Sequence, residues 1–132
     1  LAGLRVGYGI GPAELLAPLF RAKMPFNVNR LAQAGAIAAL SDTVFLKKTY
    51  KNNLEEKRYL YGLFDKLGLD YLKTEANFIF VALKRSADQL ATELLKKGII
   101  IRPLTSFGFP EAVRISIGTR TQNERFIKAL SC

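Results

Sequence analysis

The order of apolar patterns in the second half of the chain is the feature that most restricts its fold. The apolar run at 76–83 predicts a strand buried on both faces. A helix from Ser86 to about Lys97, short strands at 99–102 and 113–117, and a last helix follow it. This order predicts a small, roughly three-stranded sheet covered by helices on one face.

Local signals set the ends of these elements. Gly98 is expected to end the helix, and Pro103 to stop the second strand. In the third strand Arg114 and Ser116 alternate with three branched residues that face the other way. Thr119 or Thr121 is the expected N-cap of the last helix.

The first ten residues suggest a different strand. From Leu4 to Ile10, apolar residues alternate with Arg5, Gly7 and Gly9. Two glycines on one face favour the close approach of a ligand or another backbone. Arginine is the side chain best shaped to bind a phosphate or carboxylate. We therefore predict that this face is the floor of an anion site.

Three helices are expected between these regions. One follows Pro12 and covers about 13–23, and an alanine-rich helix, expected to be buried, covers about 30–40. A long helix with a cap at Ser41-Asp42 runs to about Lys66, and Gly68 is its expected stop. Its polar face, which we expect to lie in water, includes Lys51, Glu55, Glu56 and Lys57.

Composition excludes several classes of function. The 132 residues contain no histidine and one cysteine, Cys132, so a disulfide framework, a zinc site and a histidine base within the chain are not expected. The single cysteine fits a reducing compartment. No apolar run approaches the roughly 20 residues of a membrane span. The net charge of +9 is dispersed, and no aromatic-basic pattern of a nucleic-acid surface is present.

Three arginines at strand positions are the candidate chemistry: Arg5, Arg102 and Arg114. Arg114 lies between isoleucine and valine in a segment expected to be buried, and a buried arginine needs an anionic partner. Glu111 is the nearest carboxylate in the sequence. From the residues alone, the chain is an anion-binding α/β piece, and an ordinary basic surface remains the alternative.

Several segments carry a family resemblance. Residues 1–8 resemble the segment just after the Schiff-base lysine in fold-type I pyridoxal-phosphate aminotransferases. Residues 98–104 and 107–120 resemble histidinol-phosphate aminotransferases specifically, and residues 25–29 and 75–79 also fit that family. The resemblance runs in order from residue 1 to residue 130.

The resemblance implies a site. Arg5 would match the arginine that holds the phosphate of the pyridoxal 5'-phosphate cofactor. Arg114 would match the arginine that holds the anionic group of the amino donor or acceptor, and Arg102 a second substrate arginine that helps to hold the phosphate of histidinol phosphate. The reaction would transfer an amino group between glutamate and imidazole-acetol phosphate. The catalytic Schiff-base lysine would lie upstream of Leu1, so the isolated chain is expected to be inactive.

The resemblance also implies an architecture, α/β overall and α+β in its C-terminal part. Residues 1–40 would end the large, cofactor-binding domain, and residues 41–132 would form the small domain, entered by the long helix. The complete enzyme would be a cytoplasmic homodimer acting in histidine biosynthesis on small anionic substrates, without nucleic acid, membrane or metal. A threonine-phosphate decarboxylase, an aromatic or alanine-type aminotransferase and a non-catalytic basic binding module remain alternatives.

Overall fold

The computed structural model describes residues 1–130. The chain divides into two compact units after Lys48, and each is described by itself. The first contains a 3-10 turn at Ala2–Leu4 and helices α1 (Ala13–Ala22) and α2 (Arg30–Ser41). Helix α3 (Thr43–Lys66) begins in this unit and contributes most of its length to the second.

The strand expected over Leu4 to Ile10 is absent, so that prediction is wrong. The backbone N–H groups of Leu4 and Arg5 bond to carbonyls three residues earlier, and Arg5 has left-handed dihedral angles (φ 60°, ψ 39°). A strand is stable only with a neighbour, and residues 1–48 form no other strand. The alternating pattern therefore has nothing to pair with in this unit.

The helices of the first unit follow their local signals. Pro12 is the N-cap residue of α1, and the Asn29 side chain caps α2 by accepting from the N–H of Ala32 at 2.8 Å. Small residues permit a close contact, since a Cβ at Gly35 would lie 3.1 Å from a Leu4 methyl group. The expectation that α2 is buried is wrong, because Ala32 is its one buried residue.

Helix α3 has the ends that the sequence predicts. The carboxylate of Asp42 accepts from the N–H of Phe45 at 2.9 Å, which satisfies a free donor of the first turn. After Lys66 the chain leaves the helix through Gly68, whose φ of +63° favours glycine.

The second unit is built on a four-stranded antiparallel sheet. Its strands are β1 (Asp70–Leu72), β2 (Phe78–Ala82), β3 (Arg102–Leu104) and β4 (Phe109–Ser116), in the order β1-β2-β4-β3. Sequence reasoning missed β1, which has only three residues. The second strand, predicted at 99–102 with a stop at Pro103, is shifted: β3 begins at Arg102 and includes Pro103. An edge strand tolerates proline because one row of its backbone groups has no partner.

Helices α4 (Ala87–Lys96) and α5 (Arg120–Leu130) complete this unit, and Ser86 caps α4 as predicted. The core joins residues of α3, α4 and α5 to one face of the sheet. Its largest fully buried side chains are Phe64, Leu60, Ile79, Leu90, Leu94, Val81 and Val113.

The other face of the central strand β2 is not buried, so the expectation of a strand buried on both faces is wrong. In β2, Ile79 and Val81 are fully buried, whereas Phe78 is exposed and Phe80 is half-buried. Helices therefore cover one face of the sheet, as predicted, and the opposite face carries the residues of the candidate site.

Candidate substrate-binding arginines

The antiparallel register brings two of the three predicted arginines together. Arg102 of β3 and Arg114 of β4 are direct cross-strand partners. Side chains directly opposite in antiparallel strands share one face, about 5 Å apart at Cβ. The ladder continues through Phe80 of β2 to Leu72 of β1.

Arg114 is exposed, so the inference that it is buried is wrong. Its neighbours Val113 and Ile115 point into the core, and strand alternation therefore places Arg114 on the uncovered face. The predicted carboxylate partner is also missing: within residues 1–130, no ion pair joins Glu111 to Arg114.

Each of the two guanidinium groups contacts an aromatic ring instead of an acid. The Cζ atom of Arg114 lies 5.2 Å from the centre of the Phe78 ring, and that of Arg102 lies 5.5 Å from the centre of the Phe107 ring. Phe107 belongs to a 3-10 turn at Thr105–Phe107, between β3 and β4. Both groups keep donors for an external anion.

The two arginines line one cleft of about 530 Å³. Its remaining walls come from β3, the end of β4 and the chain before β3: Ile100, Ile101, Pro103 and Ser116. Among residues 1–130, no carboxylate lines this cleft. Two adjacent positive charges in it suit a ligand with two anionic groups or one dianionic group.

Arg5, the third predicted residue, belongs to the first unit. Its side chain is exposed, and its Nη1 donates only a long bond, 3.5 Å, to the carbonyl of Ala2. The glycine-lined face expected around it does not form, because residues 4–10 are not a strand and so do not align Arg5, Gly7 and Gly9 on one side. The guanidinium chemistry alone still suits a phosphate, since in the described residues no acid pairs with Arg5.

Sequence reasoning missed a buried polar network centred on Glu56 of α3. Glu56 is 5% exposed and accepts from Arg120 Nε at 2.9 and 3.2 Å and from Asn123 Nδ2 at 2.8 Å. Asn123 accepts from the N–H of Gly118, and Asn52 Nδ2 donates to the carbonyl of Gly118 at 3.0 Å. The network ties α3 to the turn between β4 and α5.

A second part of the network holds the loop before β2. Lys57 is 6% exposed and donates to the carbonyl of Thr74 at 2.7 Å and to Glu75 at 3.3 Å. Asn53 Nδ2 donates to the carbonyl of Ala76 at 3.4 Å. The expectation that Glu56 and Lys57 lie in water is therefore wrong.

A signal for this burial was present in the sequence. Glu56 lies four and eight residues before Leu60 and Phe64, the fully buried side chains of α3. Residues four apart share one helix face, so the spacing placed Glu56 on the core stripe. The charge of Glu56 predicts an exposed side chain, whereas its spacing from Leu60 and Phe64 predicts the buried position that the structure shows.

Among the described residues, no helix has the length and apolarity to cross a membrane. Within the same part of the chain, no group of three or more metal-ligating side chains is placed to hold an ion.

Comparison with known proteins defines the class first. The fold matches fold-type I aminotransferases, including the structure of a histidinol-phosphate aminotransferase, described as putative, from Erwinia carotovora (TM-score 0.80, 26% identity, 99% of this chain and 38% of that chain). The enzyme of that name from Sinorhizobium meliloti, solved in complex with pyridoxal-5'-phosphate, matches with a TM-score of 0.69 at 25% identity, over 86% of this chain and 32% of that chain.

The sequence then gives the family. The sequence model of aminotransferase class I and II matches residues 1–130, and the chain belongs to that family. It is 51% identical over 130 residues to the histidinol-phosphate aminotransferase of Moorella thermoacetica, covering 98% of this chain and 34% of that protein. The chain thus spans about a third of the length of the curated relatives it matches.

Proposed function

We propose that this chain is part of a histidinol-phosphate aminotransferase and supplies its substrate-binding arginines. The complete enzyme would transfer an amino group between glutamate and imidazole-acetol phosphate to give histidinol phosphate. The observation that carries this proposal is the pair of adjacent arginines, Arg102 and Arg114, which line one cleft without a described acidic partner. The 51% identity to a relative of that name supports the choice of substrate.

The two substrates explain why two arginines would be needed. Glutamate presents carboxylates, and histidinol phosphate presents a phosphate instead, so one site must accept planar and tetrahedral anions in turn. A guanidinium can bind both through two parallel N–H bonds. Arg114 would bind the anionic group of whichever substrate is present, amino donor or acceptor, and Arg102 would add contacts to the phosphate of histidinol phosphate. Holding the anion fixes the reacting amine, which lowers the entropic part of the barrier.

Arg5 would hold the phosphate of pyridoxal 5'-phosphate in the complete enzyme. Its exposed guanidinium and its lack of an acidic partner in the described chain fit that role. When bound, this cofactor supplies the electron sink for amino transfer. We assign the proton-carrying lysine to a part of the enzyme outside these 132 residues, because no lysine here matches the family's motif position.

The remaining features of the proposal follow the family. Residues 1–40 would belong to the large domain and residues 41–132 to the small domain, and the enzyme would act as a homodimer in the cytoplasm. These assignments rest on the resemblance of the segments quoted above.

The test compares two activities of the full-length enzyme. We expect it to transaminate histidinol phosphate with 2-oxoglutarate and to release no CO₂ from threonine phosphate. The substitution Arg114→Ala should lower kcat/KM for histidinol phosphate by roughly 30-fold or more, because charged hydrogen bonds contribute about 1.5–3 kcal/mol each. Arg58→Ala, which removes an exposed arginine of α3, is the matched control.

A different result in the same two assays would favour a decarboxylase. Decarboxylation of threonine phosphate without transamination of histidinol phosphate would assign the enzyme to the sibling class. That class shares the fold, as the L-threonine-O-3-phosphate decarboxylase of Porphyromonas gingivalis shows (TM-score 0.66).

A further inference from the structure

The two site arginines share a feature that separates them from the structural arginine of the same unit. Arg114 contacts the ring of Phe78 and Arg102 contacts the ring of Phe107, and neither forms an ion pair within residues 1–130. Arg120 also lies over a ring, Tyr59 at 3.7 Å, but its Nε donates to Glu56. The charge of Arg120 is therefore already neutralised, whereas the other two remain available.

A ring under a guanidinium restrains it without using its donors. The cation lies over the ring quadrupole, and the N–H groups point outward in the guanidinium plane. A carboxylate beside the arginine would also restrain it, but would compete with the substrate anion. An aromatic support therefore suits an arginine that must bind and release anions in every reaction cycle.

The backbone that carries Phe78 is anchored on two sides. Phe78 starts β2 and pairs with Ser116 at the end of β4. The preceding loop is fixed by the bond from the N–H of Ile117 to the carbonyl of Asn77 at 2.9 Å and by the Asn53 bond to Ala76. The backbone that carries the ring is thus anchored to both β4 and α3.

The Phe107 ring has its own support. The hydroxyl of Thr105 donates to Asp88 of α4 at 2.7 Å, which ties the 3-10 turn to that helix. The turn ends at Gly108, whose φ of +86° lies in the region that favours glycine.

We propose that Phe78 and Phe107 are positioning residues that hold Arg114 and Arg102 in the orientation needed to bind the substrate's anionic groups. This inference rests on the proposed function for the identity of the substrate, and on the two cation–π contacts for the role of the rings. It assigns to these phenylalanines a share in substrate affinity that does not require contact with the substrate.

The experiment is a kinetic comparison of ring variants in the full-length enzyme. Phe78→Leu and Phe107→Leu remove the rings and keep apolar side chains, Phe78→Tyr restores a ring, and Phe109→Leu is the control. Phe109 is an exposed phenylalanine whose ring contacts Phe80 edge-on at 5.5 Å rather than an arginine. Each variant is assayed for KM and kcat with glutamate and with histidinol phosphate.

We expect Phe78→Leu to raise KM for glutamate by about three- to tenfold, the range of cation–π energies, with kcat within about twofold. Phe107→Leu should raise KM for histidinol phosphate more than KM for glutamate. Phe78→Tyr should restore the original values, and Phe109→Leu should leave both constants within about twofold.

Equal effects of Phe78→Leu and Phe109→Leu, or a loss in kcat alone, would overturn the positioning role. The failure of the proposed function has a different signature, because the unmodified enzyme would then not transaminate histidinol phosphate. In that case, KM of Phe78→Leu is compared with KM of the unmodified enzyme for the amino acid that the enzyme does accept. The carboxylate of that amino acid needs the same arginine, so the same increase in KM is expected.

Discussion

At the scale of single residues, Glu56 shows how a charge is kept inside this small unit. Burying a carboxylate is unfavourable unless donors replace the water it loses. Arg120 and Asn123 supply three hydrogen bonds, and Arg120 keeps half of its side chain in water. The half-exposed arginine lowers the desolvation cost of the pair, while Asn123 donates a further hydrogen bond to Oε2 of Glu56.

We predict that Glu56→Gln destabilises the chain by about 1–3 kcal/mol, because the buried carboxylate that accepts from Arg120 and Asn123 becomes an amide with one acceptor oxygen. Urea unfolding followed by circular dichroism measures this change. Glu55→Gln is the control: Glu55 is exposed and lies 3.8 Å from Lys51, so we expect a change below about 0.5 kcal/mol. Equal midpoints for both variants would contradict the structural role of Glu56.

Tyr71 is a residue whose protonation is linked to folding. Desolvation raises the pKa of its phenol above the ordinary value near 10, and the hydrogen bond and negative charge of Asp65 raise that pKa further. Its ring stacks on Tyr61 at 4.8 Å, which places the phenol against the end of α3.

The sign of the pH dependence follows from this raised pKa. The folded state favours the neutral phenol, so this contribution is fully present below the pKa of the unfolded tyrosine and is lost as pH rises through the folded pKa. We predict that stability falls more steeply above pH about 10 in the original chain than in Tyr71→Phe. Thermal unfolding of both proteins at pH 8 to 11 tests this. Parallel curves would show that Tyr71 titrates normally.

At the scale of elements, the turn between β4 and α5 is packed more tightly than its sequence suggests. A Cβ at Gly118 would lie 2.8 Å from Gln122 Oε1 and 3.2 Å from Asn123 Oδ1. Both side chains bond the turn's own backbone, Gln122 to the N–H of Thr119 and Asn123 to that of Gly118. Glycine is needed here for space.

A pair of glycine substitutions separates crowding from backbone freedom. We predict that Gly118→Ala destabilises the chain by about 1–3 kcal/mol, since the added methyl group displaces both bonded side chains. Gly62→Ala should stabilise it by about 0.5–1 kcal/mol, because a Cβ there meets nothing within 4 Å on an exposed helix face. The urea midpoint should fall in Gly118→Ala and rise in Gly62→Ala. A Gly118→Ala variant with an unchanged midpoint would contradict the packing of this turn.

At the scale of the whole molecule, one unit carries the two substrate arginines of our proposal and the other unit carries the cofactor arginine. The chain spans about a third of its relatives' length. We predict that the isolated 132-residue chain does not transaminate histidinol phosphate in the presence of pyridoxal phosphate. A coupled assay of the chain beside the full-length enzyme measures this, and turnover by the chain alone would contradict the placement of the lysine elsewhere.

Features that depend on near neighbours in the chain follow from the sequence alone. Helix ends followed from the side-chain caps at Asp42 and Ser86 and from Gly68 and Gly98, whose positive φ angles end helices. Each of these signals acts over a few residues, so no knowledge of distant contacts was required. The sequence pattern likewise gave Arg5, Arg102 and Arg114 as candidates from their expected strand positions, and the family resemblance implied a role for each.

The tertiary structure decided what depends on pairing across the chain. The alternating pattern at residues 4–10 has no strand to join, and the three residues of β1 become a strand only against β2. Arg102 lies opposite Arg114 because of the register of β3 and β4, and Glu56 is buried because residues more than sixty positions away supply its donors. Strand pairing, burial and charge compensation depend on residues that are distant in the chain, so they cannot be predicted from any single stretch of sequence.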